Sequence, residues 1–341
     1  MLISSSGARS RITGFVISLV LASGLLWLAG RSVSWTDFGA AAASLDLKYA
    51  ALAMLSLFIM YAVITWRWSQ LWPAKERPAW PSLVTPVMIG YLVNTVTPMR
   101  LGDLARATVV ARRGTTSIGS ALGTIIIEHV FDFGVLIALV VTFASFVDIP
   151  PTVRPLIFVG AAALLGAVGA IAFLARRRPP EAVDANGNRG KFGRLVSVFF
   201  RQVVQLRHGL EIISDPSTVF KVAALTLVVW TLMGVYAVLW AAAFEIPIPW
   251  YAAVFAIAVA GLAASIPGTP AAIGTFQLAI VLALSPWSTD RSLILAYGVV
   301  LHGAQIATNL LVGGLLTVRE GTKYGLKAPR QASCIPVSRA D

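Results

Sequence analysis

The sequence predicts an all-α polytopic membrane protein with about six full spans and two broken or re-entrant helical hairpins. Of its 341 residues, 57% are hydrophobic and only 12% are charged, whereas soluble domains carry about 25% charged residues. Several apolar runs reach the roughly 20 residues that a membrane helix needs. They lack the two-residue alternation of an outer-membrane barrel, so lipid-embedded helices are expected.

Six apolar runs are long enough to cross a bilayer alone. They are 12–29, 49–66, 116–142, 155–175, 217–244 and 291–317. The first follows Arg9 and Arg11 and superficially resembles a signal peptide. It is longer than a usual signal-peptide core, so we interpret it as a retained anchor.

Two further apolar stretches are interrupted by proline and glycine. The first runs over 81–113 with a break near Pro98, and the second runs over 250–284 with a break at Pro267 and Gly268. Proline removes a backbone donor and ends or kinks a helix. Each stretch is therefore expected to be two short helices joined by irregular backbone.

Basic residues predict the orientation, because they collect on cytoplasmic loops. The segment 176–213 and the tail 319–341 are rich in Lys and Arg, so both are expected in the cytoplasm together with the N-terminus. The net charge of +12 is then explained by loops facing anionic lipid, and no nucleic-acid partner is expected. This orientation requires each broken stretch to return to the side from which it enters.

These assignments divide one integral membrane domain, 1–341, into two similar units of opposite polarity, 49–142 and 217–317. Inverted repeats with broken helices are common in secondary transporters. The alternative is that the breaks are ordinary short spans and the symmetry is coincidental. The linker 176–213 includes a basic amphipathic helix, which either lies in the lipid interface or is a solvated connection.

The first cluster of polar residues that a lipid environment disfavours is Asn94, Pro98, Arg100, Asp103 and Arg106. A helix restarting after the break would point its N-terminal amides at the break, and an arginine fork suits phosphate. We predict an anion site for a lipid phosphate here. The alternative is a cytoplasmic loop in which Asp103 merely pairs with an arginine.

The second cluster is the acidic pair Glu128 and Asp132, one helical turn apart. Two adjacent buried carboxylates cannot both stay ionised cheaply unless a cation such as Arg100 or His129 neutralises one. The pair could couple transport to protons. It could equally close a structural ion pair with the first broken hairpin.

The third and fourth features are the second break and the last span. Pro267 and Gly268 leave carbonyls without helical partners, which is tolerated at membrane depth only beside protein or a watery cavity. Gln277 follows this break. His302 could titrate near neutral pH, but we favour an interhelical hydrogen-bond donor. All four residues are candidates for substrate binding.

No catalytic residue, cofactor or metal is predicted. The sequence has no Asp-x-Asp pair, histidine cluster or glycine-rich phosphate loop, and Cys334 is its only cysteine. We attribute Trp66, Trp68 and Trp72 to the aromatic belt at the membrane surface.

Two motifs carry a family resemblance over about residues 12–318. One is N-x3-P-x-R-x-G-D-x2-R from Asn94 to Arg106 together with E-H-x2-D from Glu128 to Asp132, and the other is P-G-T-P-A-A-I-G-T-F-Q from Pro267 to Gln277. The chain resembles the lysylphosphatidylglycerol synthase transmembrane-region family, also called the flippase-like integral membrane family.

This chain departs from the usual family pattern at three positions. The pattern has Glu where this chain has Asp103, Arg where it has His129, and an acidic residue where it has Gln277. The loss of arginine at 129 removes a fixed cation beside the acidic pair. The neutral Gln277 places an ion or proton role there in doubt.

The resemblance implies a bacterial inner-membrane protein that moves, or helps move, lipids between leaflets. Together with the predicted phosphate site, it leads to the hypothesis of a flippase or transporter of an anionic lipid. Its best-known relatives join this module to an aminoacyl-transferase domain, and other relatives are linked to hopanoid metabolism and polyprenyl-lipid glycosylation. Two alternatives remain open. One is a membrane-embedded enzyme such as a polyprenyl-lipid glycosyltransferase, and the other is an accessory subunit that recruits a separate lipid-modifying enzyme through 176–213.

Overall fold

A computed structural model describes residues 43–72, 77–97, 100–114, 116–144, 215–265 and 269–324, with a few isolated positions elsewhere. All the regular secondary structure in these ranges is helical. The α-helices are α1 (Leu47–Gln70), α2 (Val84–Val96), α3 (Gly102–Arg112), α4 (Ile118–Ala144), α5 (Pro216–Ala243), α6 (Trp250–Ser265), α7 (Thr275–Leu284) and α8 (Arg291–Tyr324). Single 3-10 turns, Trp80–Leu83 and Pro270–Ala272, precede α2 and α7.

Four of these helices, α1, α4, α5 and α8, are long and apolar enough to cross a membrane. They confirm four of the predicted spans, and α8 continues to Tyr324, beyond the predicted end at 317. The predicted spans 12–29 and 155–175 and the linker up to 213 lie outside the described residues, as does the tail after 324. The total of six spans therefore stays a prediction.

Helices α1 and α5 pack side by side and antiparallel. The Asp46 amide donates to the carbonyl of Ala243 at 2.9 Å, which joins the start of α1 to the end of α5. Further along, the Ser56 hydroxyl donates to the carbonyl of Leu232 at 2.9 Å. Asp215 caps α5, and hydrogen bonds led by the one from the Thr218 hydroxyl lower the pKa of Asp215. The two bonds from Asp46 and Ser56 fix the register of α1 against α5.

The first broken stretch forms a hairpin of two short helices. α2 has 13 residues and α3 has 11, so each is under ~20 Å long and cannot cross a ~30 Å hydrocarbon core. The helices approach closely at two glycines: a Cβ on Gly102 would lie 2.0 Å from the Gly90 carbonyl oxygen. The Asn94 side chain accepts from the Gly102 amide at 2.7 Å and secures the turn.

The second broken stretch also forms a hairpin, from α6 and α7. Between these helices, Ala271, Ala272 and Gly274 have φ values of 50°, 54° and 84°, in the left-handed region. Two consecutive alanines there are strained, because the Cβ atom disfavours this backbone. The predicted interruption of both broken stretches is confirmed.

Helix α8 packs through glycines against one helix of each hairpin, antiparallel to α2 and to α7. A Cβ on Gly313 would lie 2.7 Å from the Met88 carbonyl oxygen, and one on Gly298 would lie 3.2 Å from Ile280. Near its end, Glu320 accepts two bonds from the Arg113 guanidinium, at 2.8 and 2.7 Å. The predicted polar tail from 319 therefore begins as helix.

The prediction of an interfacial aromatic belt is wrong for two of its three tryptophans. Trp66 is 49% exposed, but Trp68 and Trp72 are 0% and 2% exposed. Trp68 donates from Nε1 to the Thr124 hydroxyl at 2.9 Å. Both rings lie in the protein core, where they pack against other helices. This packing depends on the tertiary structure and cannot be read from the position of the tryptophans in the sequence.

We expect Gly102→Ala to separate α2 from α3, because the added methyl group would meet backbone that cannot move independently. Overpacking of this kind costs about 1–3 kcal/mol. Gly134→Ala in α4 is the matched control, since nothing lies within 4 Å of a Cβ there. Thermal unfolding of the purified protein in detergent should fall for the first variant only. Equal melting of both variants would contradict the close approach.

Candidate functional site

A cavity of about 260 Å³ lies where the two helix breaks come together. Each of the eight described α-helices contributes to its lining, including Asn94 and Arg100 beside the first break and Ser265 and Phe276 beside the second. Its charged lining residues are Arg67, Arg100, Asp103, Arg106, Glu128 and Asp132. Such groups are rare at membrane depth and usually functional.

Arg67 on α1 is the centre of the charged network. Its guanidinium donates to both Asp132 carboxylate oxygens, at 2.5 and 3.0 Å, and to Glu128 Oε1 at 2.8 Å. It also donates to the Thr226 hydroxyl on α5 at 3.1 Å. The side chain is only 1% exposed. One arginine thus ties three helices together through charge-assisted bonds.

Arg106 on α3 holds the other oxygen of the same glutamate. It donates to Glu128 Oε2 at 2.5 Å, and its Cζ lies 3.7 Å from the centroid of the Trp68 ring. A guanidinium over a tryptophan face gains a cation–π attraction. Glu128 therefore lies between two arginines. The Arg106 guanidinium is held by both the Glu128 carboxylate and the Trp68 ring.

The two carboxylates of the acidic pair are neutralised, but by a different cation from the ones expected. The sequence prediction named Arg100 or His129, whereas both Glu128 and Asp132 pair with Arg67. The alternative of an ion pair to the first broken hairpin is also present, through Arg106. With two arginines and two acids, this part of the site has no net charge.

Arg100 differs from the other two arginines. It lies in the break before α3 with a φ of 52°, so it is not on the helix that carries Asp103 and Arg106. It lines the cavity. Among the residues that the structure describes, no carboxylate lies within ion-pair distance of it.

The amides at the start of α3 are only partly available to a ligand. The Gly102 amide is already bonded to the Asn94 side chain. Fewer of these amides are therefore free to bind an anion than the sequence analysis expected. Asn94 acts on the hairpin turn and also borders the cavity.

Asp103 and His129 form a second acid–base contact on the cavity wall. His129 Nε2 lies 3.0 Å from Asp103 Oδ2, and the two side chains are 29% and 26% exposed. They are much less buried than Glu128, whose side chain is 4% exposed. This pair is therefore more accessible from the cavity than the arginine network.

His302 on α8 forms a hydrogen bond to α7. The Gly274 amide can only donate, so the Gln277 oxygen that lies 2.8 Å away is its acceptor. The Gln277 Nε2 group must then donate to His302 Nδ1 at 3.1 Å. His302 is an interhelical partner as expected, but it accepts the bond. Its ring stacks on Phe276 at 4.1 Å between centroids.

The candidate site residues are distributed unevenly around this cavity. Its lining includes seven of them: Asn94, Arg100, Asp103, Arg106, Glu128, Asp132 and His302. Gln277 is buried behind the lining and reaches it through His302. Pro98, Pro267 and Gly268 lie outside the described residues.

Sequence reasoning missed Arg67, although the rule for intramembrane charges could have found it. The predicted span ended at 66, so Arg67 fell just outside it and was not considered as an intramembrane charge. In the structure α1 continues to Gln70. A lone arginine at the end of an apolar run, with two unexplained acids elsewhere, was the available signal.

The fold and the cavity define a polytopic helical membrane protein with a charged central site. The family described as "Lysylphosphatidylglycerol synthase TM region" matches residues 15–313. The chain belongs to this family, so it is a membrane protein of a group associated with lipid biosynthesis or transport. No curated protein and no solved structure matches the chain.

We expect Arg67→Met to destabilise the protein by at most about 3–5 kcal/mol, because it leaves the partly buried Asp132 carboxylate without a cation. Arg67→Met combined with Asp132→Asn should recover part of the loss, since the orphaned charge is then removed. Thermal unfolding of the single and double variants in detergent measures both effects. A double variant less stable than Arg67→Met would show that the charge pairing is not what holds these helices.

Proposed function

We propose that the protein moves an anionic phospholipid between the leaflets of a bacterial inner membrane, with both termini in the cytoplasm. The observation that carries this proposal is Arg100, a guanidinium in a cavity among apolar helices with no carboxylate partner in the described part of the chain. An arginine fork binds phosphate through two parallel hydrogen bonds. A phosphate would give Arg100 the ion-pair contact that it lacks.

Two further donors support an anionic ligand. Arg67 and Arg106 are 1% and 5% exposed, and the Nε–H group of each lacks a hydrogen-bond partner within the described residues. A buried unpaired donor is costly, about 1–3 kcal/mol. Both Nε atoms are shielded from the cavity in this conformation, so an oxygen-rich head group would reach them only if the two side chains turned toward it.

The size of the cavity supports transport of the head group alone. At about 260 Å³ it falls below the ~300–1,000 Å³ typical of sites that enclose a whole drug-sized ligand. The acyl chains would therefore stay in the bilayer while the head group crosses between the helix breaks. Only the charged head group has to be shielded from the hydrocarbon core by the protein, because the acyl chains are already compatible with it.

The arrangement of helix contacts supports two related halves, α1–α4 and α5–α8. In this comparison α1 corresponds to α5, α2 to α6, α3 to α7 and α4 to α8. The packing of α2 on α8 then corresponds to that of α6 on α4, and the packing of α3 on α4 corresponds to that of α7 on α8. All four of these contacts are present, and α1 packs on α5, which the exchange leaves unchanged. Rocking of two such halves about a shared site is a known route to alternating access.

We expect Arg100→Asn to slow transbilayer movement of fluorescent NBD-labelled phosphatidylglycerol in proteoliposomes. Asparagine tolerates the left-handed backbone at this position, so the change removes the charge with little strain. A lost charged hydrogen bond of about 1.5–3 kcal/mol corresponds to roughly ten-fold to a hundred-fold slower movement. Reduction of outward-facing label by dithionite measures the rate.

Arg112→Asn is the matched control, because this exposed arginine ends the same hairpin helix and does not line the cavity. It should transport like the wild type. Equal rates for both variants, at equal folded protein, would contradict the proposed site. Product formation from a sugar nucleotide and a polyprenyl phosphate would favour the enzyme, and co-purification of a lipid-modifying enzyme without flipping would favour the accessory subunit.

A further inference from the structure

The charges that line the cavity balance when its imidazoles are neutral. The guanidiniums are Arg67, Arg100 and Arg106, and the carboxylates are Asp103, Glu128 and Asp132. A singly charged phosphodiester would leave the occupied cavity with one uncompensated negative charge. Burying such a charge costs several kcal/mol. A proton taken up with the lipid would remove this cost.

His302 is unsuited to take up that proton. Its Nδ1 accepts a hydrogen bond from Gln277, whose orientation is fixed by the Gly274 amide. A proton on Nδ1 would make this atom a donor that faces the Nε2–H donor of Gln277, and the hydrogen bond would be lost. The ring is also 6% exposed, stacked on Phe276.

His129 meets no such obstacle. Its Nε2 faces the Asp103 carboxylate, which only accepts. A neutral ring can donate to it, and a protonated ring keeps that bond and gains a second donor on Nδ1. Histidine is also the side chain whose charge ordinarily changes between pH 5 and 8.

The charged surroundings of His129 are those of the cavity. The helix α3 contributes Asp103 and Arg106, α1 contributes Arg67, and α4 itself contributes Glu128 and Asp132. Arg100 lies at the first break. The lining residues of α5 and α6 are uncharged. Since Arg67 and Arg106 are committed to Glu128 and Asp132, Asp103 is the acid left to stabilise an imidazolium.

We propose that the protein binds a proton on His129 together with each anionic lipid head group, so that the occupied cavity stays neutral. This inference rests on the proposed function, because it assumes that the head group enters this cavity. By linkage, the lipid tightens proton binding as much as the proton tightens lipid binding. The lipid should then bind more weakly as the pH rises, by up to about ten-fold per pH unit.

Proton uptake can be counted directly by calorimetry. Dihexanoylphosphatidylglycerol is titrated into the full-length protein in detergent at pH 7.5, in two buffers of different ionisation enthalpy. The wild type should take up about one proton per bound lipid. His129→Gln, which keeps a donor to Asp103, should take up none and bind at least ten-fold more weakly at pH 6. His129→Arg, with a fixed cation, should bind tightly and change less than two-fold between pH 6 and 7.5.

The outcomes separate this inference from the function on which it rests. Binding to the wild type without proton uptake overturns the role of His129 and leaves lipid binding intact. Uptake that persists in His129→Gln also overturns it, because a carboxylate then carries the proton. Failure of every variant and of the wild type to bind the lipid overturns the proposed function as well.

Discussion

The placement of Glu128 between Arg67 and Arg106 is the interaction on which the rest of the structure depends. Three charged side chains that are each at most 5% exposed lie among apolar helices, where any one of them alone would cost several kcal/mol. Their burial is tolerated because Glu128 forms an ion pair with each of the two arginines. Asp132, Thr226 and Trp230 complete the set, with the Trp230 Nε1 group donating to Asp132 at 3.1 Å. Apolar packing between helices tolerates sliding, whereas this network specifies one register for α1, α3, α4 and α5.

Polar contacts next to the breaks explain why irregular backbone is tolerated there. The first break has Arg100 in the left-handed region, and the second has two alanines there. A non-glycine residue in this region costs about 1–3 kcal/mol and is retained where the surroundings enforce it. α3 is anchored by Arg106, and α7 is anchored to α8 by the bond from Gln277 to His302. Each hairpin is thus held by a polar contact about one helical turn past its break, and the breaks meet at a cavity that can hydrate their backbone.

The sequence predicted the elements well and the partners poorly, for a physical reason. Apolar length and proline or glycine interruptions are local properties, so four spans and both breaks could be located within a few residues. The excess acids at Glu128 and Asp132 were equally visible, because charge in an apolar run is a local anomaly. Which cation neutralises them depends on how α1 packs, and this is a tertiary fact that placed Arg67 in the site and Trp68 in the core. The acceptor role of His302 likewise depends on a backbone amide on another helix.

The departures of this chain from the usual family pattern form a matched change. The pattern that the sequence analysis expects has Glu and Arg where this chain has Asp103 and His129, and these two residues are in contact in the structure, at 3.0 Å. A shorter acid with a shorter base preserves the contact but replaces a permanent cation by one that depends on pH. In a relative with arginine at this position, the cavity would carry its compensating charge before any lipid arrived. On the proposal made above, this chain would gain the compensating charge only with a proton on His129, which would keep the cavity neutral both empty and occupied. Coupling to protons would then be a property of the His129–Asp103 pair, while phosphate recognition by Arg100 would be independent of it.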